Sequence, residues 1–520
     1  MLLEEKSVAN LRHERQPSLV IQIAALAALS VIAIPLFYLF QRAFSGEGGL
    51  AAQIIFRTKT LEILATSIGL TISVSLASTI LGLAIAWSLH FLPLPGGSFL
   101  RALTILPMAI PSYVLTYSWL SLELFTGGYL AALLILTLST TPFVILAALA
   151  AFRRIDNSQH DVALTLGLNQ FQSFRRVILP QIQGSLTAGS LLVSLYVLSD
   201  FGAVSLLGVD TFTRAIQNTY QGSFDRSAAA ILALLLVLIS SSIIALEVRT
   251  RRAPQSNRAA VSSARISQFQ FSSRAKFSSL ALIYSYLFFA LVAPLSILVA
   301  RFLNRPEAID LQELSGAAFA TLFVAAIGAI LAITLAMPVA IIAARGLLLG
   351  KLAERGLLVV HALPGIVMGL ALVAFGSDIP WLYQTVGLLG IAYAILFMAK
   401  SVGAIRSAIT RVPSNLLEIS ATLGKNRRET FRQVVLPLAA PNVLTGTLLV
   451  FLAAMKELPA TLMLRPTGFE TLATEMWTYT SIFRFSEAAP YALLLVLLAA
   501  IPTFLITRPD KSADGSGELT

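Results

Sequence analysis

The chain contains no cysteine. Disulfides, thiolate zinc sites and iron–sulfur clusters are therefore excluded. Charge is also scarce: Asp, Glu, Lys and Arg make up 12% of the residues, where a soluble domain carries about a quarter. The four histidines form no cluster with metal-ligand spacing, and His361, alone in an apolar run, reads as a packed side chain. A phosphate-binding loop is missing too. Gly350-Lys351-Leu352 and Gly424-Lys425-Asn426 lack both the hydroxyl residue and the upstream glycine that a Walker sequence needs. No nucleophile–base pair stands out. These absences point away from an enzyme and from a resident metal or cofactor.

Apolar residues fill the gap, at 57% with a mean hydropathy of +0.81. A soluble core of 520 residues could not hide that much apolar surface, because surface area grows almost as fast as mass. Lipid must solvate much of it. Twelve long apolar runs lie near 18–40, 62–88, 102–121, 130–151, 181–207, 227–248, 278–300, 316–344, 356–375, 383–403, 438–464 and 488–507. They are too long for barrel strands, so helices are expected, since a helix closes its own hydrogen bonds in lipid. The fold class is an all-α polytopic membrane protein. The runs at 181–207 and 438–464 are irregular enough to be broken helices. The first run exceeds the 7–15 residues of a signal-peptide core, so a retained anchor is expected.

Basic residues set the orientation. With the N-terminus inside, the inside segments hold 3, 1, 4, 7, 3, 7 and 2 Lys/Arg in chain order, counting Lys400 with the loop after it. The outside segments hold 9 of the 37, and Lys456 sits within a span. This is the positive-inside asymmetry of a plasma (inner) membrane protein with both termini cytoplasmic. The net charge of +11 is thus a topology signal. Nucleic acid is not an expected partner; the lipid bilayer is. The basic, Ser-rich stretch from Arg249 to Lys276 reads as a linker that touches anionic lipid.

A search for self-similarity finds one offset, 257, that pairs Leu106-Pro107 with Leu363-Pro364, Gly167 with Gly424, Gly189 with Gly446 and Asp200 with Glu457. Upstream, Thr66 pairs with Thr321 after a small length change. Each copy holds six runs, an even number, so the copies share one orientation: a parallel duplication with one pathway expected between the two halves. The expected organisation is a tail at 1–17, a six-span domain at 18–248, a linker at 249–276, a second six-span domain at 277–507 and a tail at 508–520.

The best-matched segments read DVALTLGLNQFQSFRRVILP (161–180) and EISATLGKNRRETFRQVVLP (418–437). Each gives an acid, a glycine six residues on, then nine residues and Val-x-Leu-Pro. The spacing predicts two short helices joined by a glycine turn. Gly167 and Gly424 suit a left-handed closure. Asn169 with Gln172, and Asn426 with Glu429, can cap the second helix. Ser158 with Asp161, and Asn415 with Glu418, can cap the first.

These paired segments resemble the signature of binding-protein-dependent ABC importer permeases: Glu-Ala-Ala, three residues, Gly, nine residues, Ile-x-Leu-Pro. Asp161-Val162-Ala163 and Glu418-Ile419-Ser420 replace Glu-Ala-Ala, and Val177 and Val434 replace Ile. The resemblance implies two fused six-span halves, each with a cytoplasmic helix–turn–helix that couples to an ABC ATPase. It assigns that role to Asp161, Ala163, Gly167, Leu179 and Pro180, and to Glu418, Ser420, Gly424, Leu436 and Pro437. Two ATPase copies and an external or periplasmic solute-binding protein are the implied partners. Asp200, Lys456 and Glu457 are acids and a base deep in spans, where charge is costly and faces a partner or a water-filled path. Either a pathway or gating role or a structural one fits them. SDFGAVSLL (199–207) and KELPATLMLRP (456–466) look most like ferric-iron permeases, with thiamine and phosphonate systems as alternatives. An ion-coupled carrier is the rival class.

Overall fold

The structure is a computed structural model. It describes the whole chain except residues 1–18, 46–49, 124–126, 156, 223–224, 251–272, 305–309, 346–349, 351, 354–355, 358–359, 361 and 508–520. His361 and most of the basic linker lie outside the described residues. Every regular element among those described is helical, as lipid solvation demands.

Among the described residues ten helices are long and apolar enough to cross a membrane: Leu19–Phe44, Thr58–Phe91, Tyr129–Phe152, Gln170–Ser199, Arg226–Leu246, Ser273–Asn304, Leu311–Ala344, Val386–Thr410, Phe431–Met455 and Phe485–Thr503. An eleventh, expected at 102–121, is bent by 86° between Gly97–Ala109 and Ser112–Leu120. Pro111 sits in the break. It has no N–H to continue the ladder, and its ring disfavours a helical conformation at the residue before it. In the run expected at 356–375 the helix Gly365–Ser377 is too short to cross alone; Gly356, Leu357 and Val360 ahead of it are helical as well, with residues between them outside those described. Both irregular runs are broken. The first helix ends at Ser199 and restarts as Gly202–Leu206; the second ends at Met455 and restarts as Pro459–Leu464.

The chain divides into two compact units that do not follow the two halves of the sequence. One comprises Met1–Ile54, Ile216–Val237 and Asp310–Glu475; the other comprises Ile55–Ala215, Leu238–Ile309 and Met476–Thr520. Each packing unit thus draws segments from both halves of the sequence.

Small residues govern the packing inside each unit. Lipid gives helices no hydrophobic reason to associate, so close backbone approach and interhelical hydrogen bonds do the work. In the first unit Ala329, Ala332, Ala394 and Val450 form a buried cluster. A Cβ on Gly446 would lie 2.5 Å from the Cβ of Ala404. In the second unit a Cβ on Gly189 would lie 3.0 Å from that of Ala147. Both pairs are related by the offset of 257, so the duplication preserves this helix crossing residue for residue. Hydroxyls add cross-links. In the second unit Ser75 bonds Ser194 at 2.9 Å and Ser78 bonds Thr140 at 2.8 Å. The Ser67 hydroxyl accepts the Phe212 N–H at 3.1 Å, and in the first unit Thr321 accepts that of Leu472 at 2.8 Å. By this contact the counterpart of Thr321 is Ser67, one residue beyond the Thr66 expected from sequence.

Gly446→Val should force the crossing apart and destabilise its unit by about 1–3 kcal/mol. Gly184 lies on the same helix as Gly189 and has open space around its Cα. Gly184→Ala should therefore stabilise by about 0.5–1 kcal/mol. Thermal unfolding of the purified variants checks both signs.

Candidate functional site

Each unit carries one of the two signature hairpins. In the second unit the first helix, Asn157–Thr165, ends at Gly167 with φ +88°. The Gly167 N–H bonds the Leu164 carbonyl at 3.0 Å, and the Leu168 N–H bonds that of Ala163 at 3.1 Å. This is the double closure of a Schellman motif. In the first unit Ser414–Thr422 ends at Gly424 with φ +75°, and the Lys425 N–H bonds the Ser420 carbonyl at 3.2 Å. Ala163 and Ser420 therefore occupy one position, with the carbonyl closing the helix and the small side chain buried. Ser420 also bonds Thr430 across its hairpin at 2.7 Å.

The second helices open with the expected capping boxes. Asn169 accepts the Gln172 N–H at 2.8 Å while Gln172 accepts that of Asn169 at 3.1 Å. Asn426 and Glu429 do the same at 3.0 Å each way. The first-helix box expected at Asn415 and Glu418 does not form. The helix already starts at Ser414, and the Asn415 side-chain Oδ1 accepts the Leu416 N–H at 3.0 Å instead. The side chain of Ser158 lies outside the described residues. Asp161 and Glu418 are exposed.

Leu179-Pro180 and Leu436-Pro437 do not mark a turn. The chain passes through a π-helical turn at Phe174–Ile178 and at Phe431–Val435, then continues as helix. The Leu179 N–H reaches back five residues to Phe174, and the Leu436 N–H to Phe431. In an α-helix the proline ring would strike the carbonyl four residues back; the wider turn moves that carbonyl aside. The second hairpin helix is thereby fused to the span, giving one 30-residue helix, Gln170–Ser199. Phe174 meets Trp87 edge-on at 6.5 Å.

Apolar side chains that the sequence reading passed over stand out of both hairpins. Val162 and Leu166 are 56% and 78% exposed, and their counterparts Ile419 and Leu423 are 51% and 70% exposed. Their spacing of four places each pair on one helical face. That spacing, inside an otherwise polar loop, was the available signal.

At the far end of the fused helices stand the equivalent acids. Asp200 is extended, at φ −66° and ψ 127°, and ends its helix. Its carboxylate is buried, accepts the Ser112 hydroxyl, and takes the N–H groups of Ala203 at 3.0 Å and Val204 at 3.3 Å. Glu457 accepts the Ala460 N–H at 3.0 Å, and the Thr461 hydroxyl donates to its carbonyl at 2.8 Å. Both acids cap the short helix that follows them. The Glu457 carboxylate also occupies the space beside Gly365 that any side chain there would need. Lys456 closes the preceding helix. Lys400, counted with a loop in the sequence reading, stands in mid-helix with its ammonium 5.1 Å from the Phe397 ring. It lies within electrostatic range of Glu457. It falls inside the run expected at 383–403, and the helix runs on to Thr410.

Residues 82–252 and 336–508 match the family model described as binding-protein-dependent transport system inner membrane component. Over 488 residues the chain is 30% identical to the Fe(3+)-transport system permease protein FbpB 2 of Haemophilus influenzae, covering 92% of this chain and 96% of that protein. It is 30% identical over 145 residues to the sulfate transport system permease protein CysT of Salmonella typhimurium, covering 25% and 52%. A putative 2-aminoethylphosphonate transport system permease protein, PhnV of Salmonella typhimurium, matches at 26% over 158 residues, covering 30% and 58%.

Asp200→Asn and Glu457→Gln keep an acceptor for the capped N–H groups and should leave assembly intact. Asp200→Ala removes the cap and should cost about 1–2 kcal/mol. Thermal stability read beside uptake separates the two roles. A transport defect in Asp200→Asn at wild-type stability would assign the charge to the pathway or its gate.

Proposed function

The chain belongs to the binding-protein-dependent transport system inner membrane components, and from that premise we propose that it carries ferric iron inward, driven by ATP hydrolysed on a separate subunit. The observation that supports the coupling is the fused helix. Each hairpin presents an exposed apolar pair, and its second helix continues without a hinge into a span that ends at Asp200 or Glu457. An ATPase that grips Val162 and Leu166, or Ile419 and Leu423, would move the span as a rod. At 1.5 Å per residue, 30 residues make a rod of about 45 Å, long enough to carry motion across the hydrocarbon layer.

Two hairpins call for two ATPase copies, one per hairpin. The hairpins then face the cytoplasm, as do both termini, and a solute-binding protein delivers cargo on the opposite side. Asp161, Gly167, Glu418 and Gly424 would shape the docking elements; Asp200, Lys456, Glu457 and Lys400 would line or gate the path. Ferric iron is favoured because the likeness to the iron permease runs through nearly the whole of both chains. The likenesses to the sulfate and phosphonate permeases each cover less than half of this one. A phosphonate cargo is the alternative reading.

Replacing Leu166 and Leu423 with Asp should abolish co-purification of the ATPase while the protein still inserts. Gly167→Val with Gly424→Val should also uncouple transport, since a left-handed β-branched residue costs about 1–2 kcal/mol. Pull-down and ATP-driven uptake of labelled iron read both. Full uptake in either double variant would remove the docking role. A reporter fused after Asn257 should read cytoplasmic.

A further inference from the structure

In the first unit the ends of three segments enclose a cavity of about 120 Å³. Its lining includes Tyr38 and Arg42 from Leu19–Phe44, Tyr220, Arg226 from the start of the next helix, and Ser377 and Asp378 from the end of Gly365–Ser377. Within this unit the helix Val386–Thr410 runs from the cavity side to the signature hairpin, so cavity and hairpin lie at opposite ends of the spans. Neither the coupling scheme nor the capping acids use these residues.

The duplication supplies a comparison. In the second unit another cavity is lined by Glu123, Arg301, Arg484 and Glu487. Arg301 is the counterpart of Arg42, at an offset of 259, and Glu123 that of Asp378, at 255. There the chain satisfies its own cations. Arg484 pairs with Glu487 at 3.1 Å and stacks on Tyr479, while Arg301 donates to the Ser121 carbonyl. At the same offset of 259, Glu487 is replaced by Ala228 and Arg484 by Asp225, while Arg226 stands where the second unit has Phe485. Among the described lining residues the first cavity then holds two guanidinium groups against one carboxylate. Tyr220 lies in the field of both Arg42 and Arg226. Guanidinium forks match tetrahedral oxyanions in geometry as well as charge. The Tyr220 hydroxyl adds a donor, whereas Ser377 donates to the Ala374 carbonyl at 2.7 Å and Tyr38 bonds Asp378.

We propose that this cavity binds a phosphate group, as a lipid headgroup or as a free oxyanion. A lipid source has a further support. Phe37, Phe40 and Phe44 are 63%, 60% and 59% exposed on the neighbouring face of the same helix. Acyl chains can lie along that stripe while the headgroup enters the cavity.

The test uses the full-length chain assembled with its ATPase. Inorganic phosphate, against chloride at equal ionic strength, is titrated while thermal unfolding is followed. In parallel, the complex from nanodiscs of phosphatidylcholine with or without phosphatidylglycerol is examined by native mass spectrometry for retained lipid. Saturable stabilisation by phosphate alone identifies the free oxyanion, and retained phosphatidylglycerol identifies the headgroup. Either supports the site if Arg42→Gln with Arg226→Gln weakens binding by about ten-fold or more. Should that double variant fail to assemble, Asp378→Asn carries the test with the opposite sign. Removing the competing carboxylate should tighten binding several-fold, which a merely structural role would not do. Absence of both ligands from the wild-type complex overturns the proposal. So does binding that none of these substitutions changes. Loss of binding-protein affinity in the arginine variants, with no phosphate or lipid bound by the wild type, would mark a protein-docking surface instead and equally overturn it.

Discussion

A helix that stops inside an apolar layer leaves N–H and C=O groups with no water to receive them. Two of the spans stop in this way, after Ser199 and after Met455, and the chain answers with a carboxylate each time. Asp200 takes two N–H groups of the helix that restarts beyond it, and Glu457 takes one. The breaks are sustainable only because those acids are there. Ser112 from the bent span and Thr461 from the restarted helix then satisfy what remains. An ionisable side chain within a span thus has a backbone to serve before it has any cargo to meet.

The sequence made much of this legible, for identifiable reasons. Apolar runs are long, so nearly all the spans could be placed. A duplication makes every shared feature appear twice, so Gly167 and Gly424 could be recognised as left-handed closures before their φ values were known. Asn169 and Asn426 form the reciprocal caps expected of them. The fusion of hairpin and span was hidden, because a proline in sequence suggests a boundary, whereas a π turn lets the helix pass through it. The bend at Pro111 was hidden inside an unbroken apolar run. Lys400 falls within the run at 383–403, but its charge groups it with the basic loop that follows, whereas the helix holds it well short of its end at Thr410. Membership of each helix in a packing unit was beyond reach, because that depends on tertiary contacts that a repeat offset does not encode.

The two copies keep some contacts and abandon others, and the division has a physical logic. Gly189 against Ala147 and Gly446 against Ala404 retain the same close crossing, since a larger side chain on either helix would force both apart. The surroundings of the acids diverge. Asp200 takes a hydroxyl from Ser112, whereas Glu457 fills the space at Gly365 and lies near Lys400. Backbone approach tolerates little variation, whereas a polar environment can be rebuilt from different side chains provided each group finds a partner.

Fusion of the hairpin helix to its span also fixes an angular phase. A helix advances 100° per residue, at 3.6 residues per turn. One residue inserted between Pro180 and Asp200 would swing the carboxylate, together with the short helix it caps, about a quarter-turn away from Ser112 while leaving the hairpin in place. The same holds from Pro437 to Glu457. Each acid lies twenty residues beyond its proline, and the offset of 257 runs through this interval without a gap in either copy. Length elsewhere in the chain was free to drift, as the shifted offsets at Ser67 and Arg42 record. Along these two rods it was not, because a change in length there is a rotation.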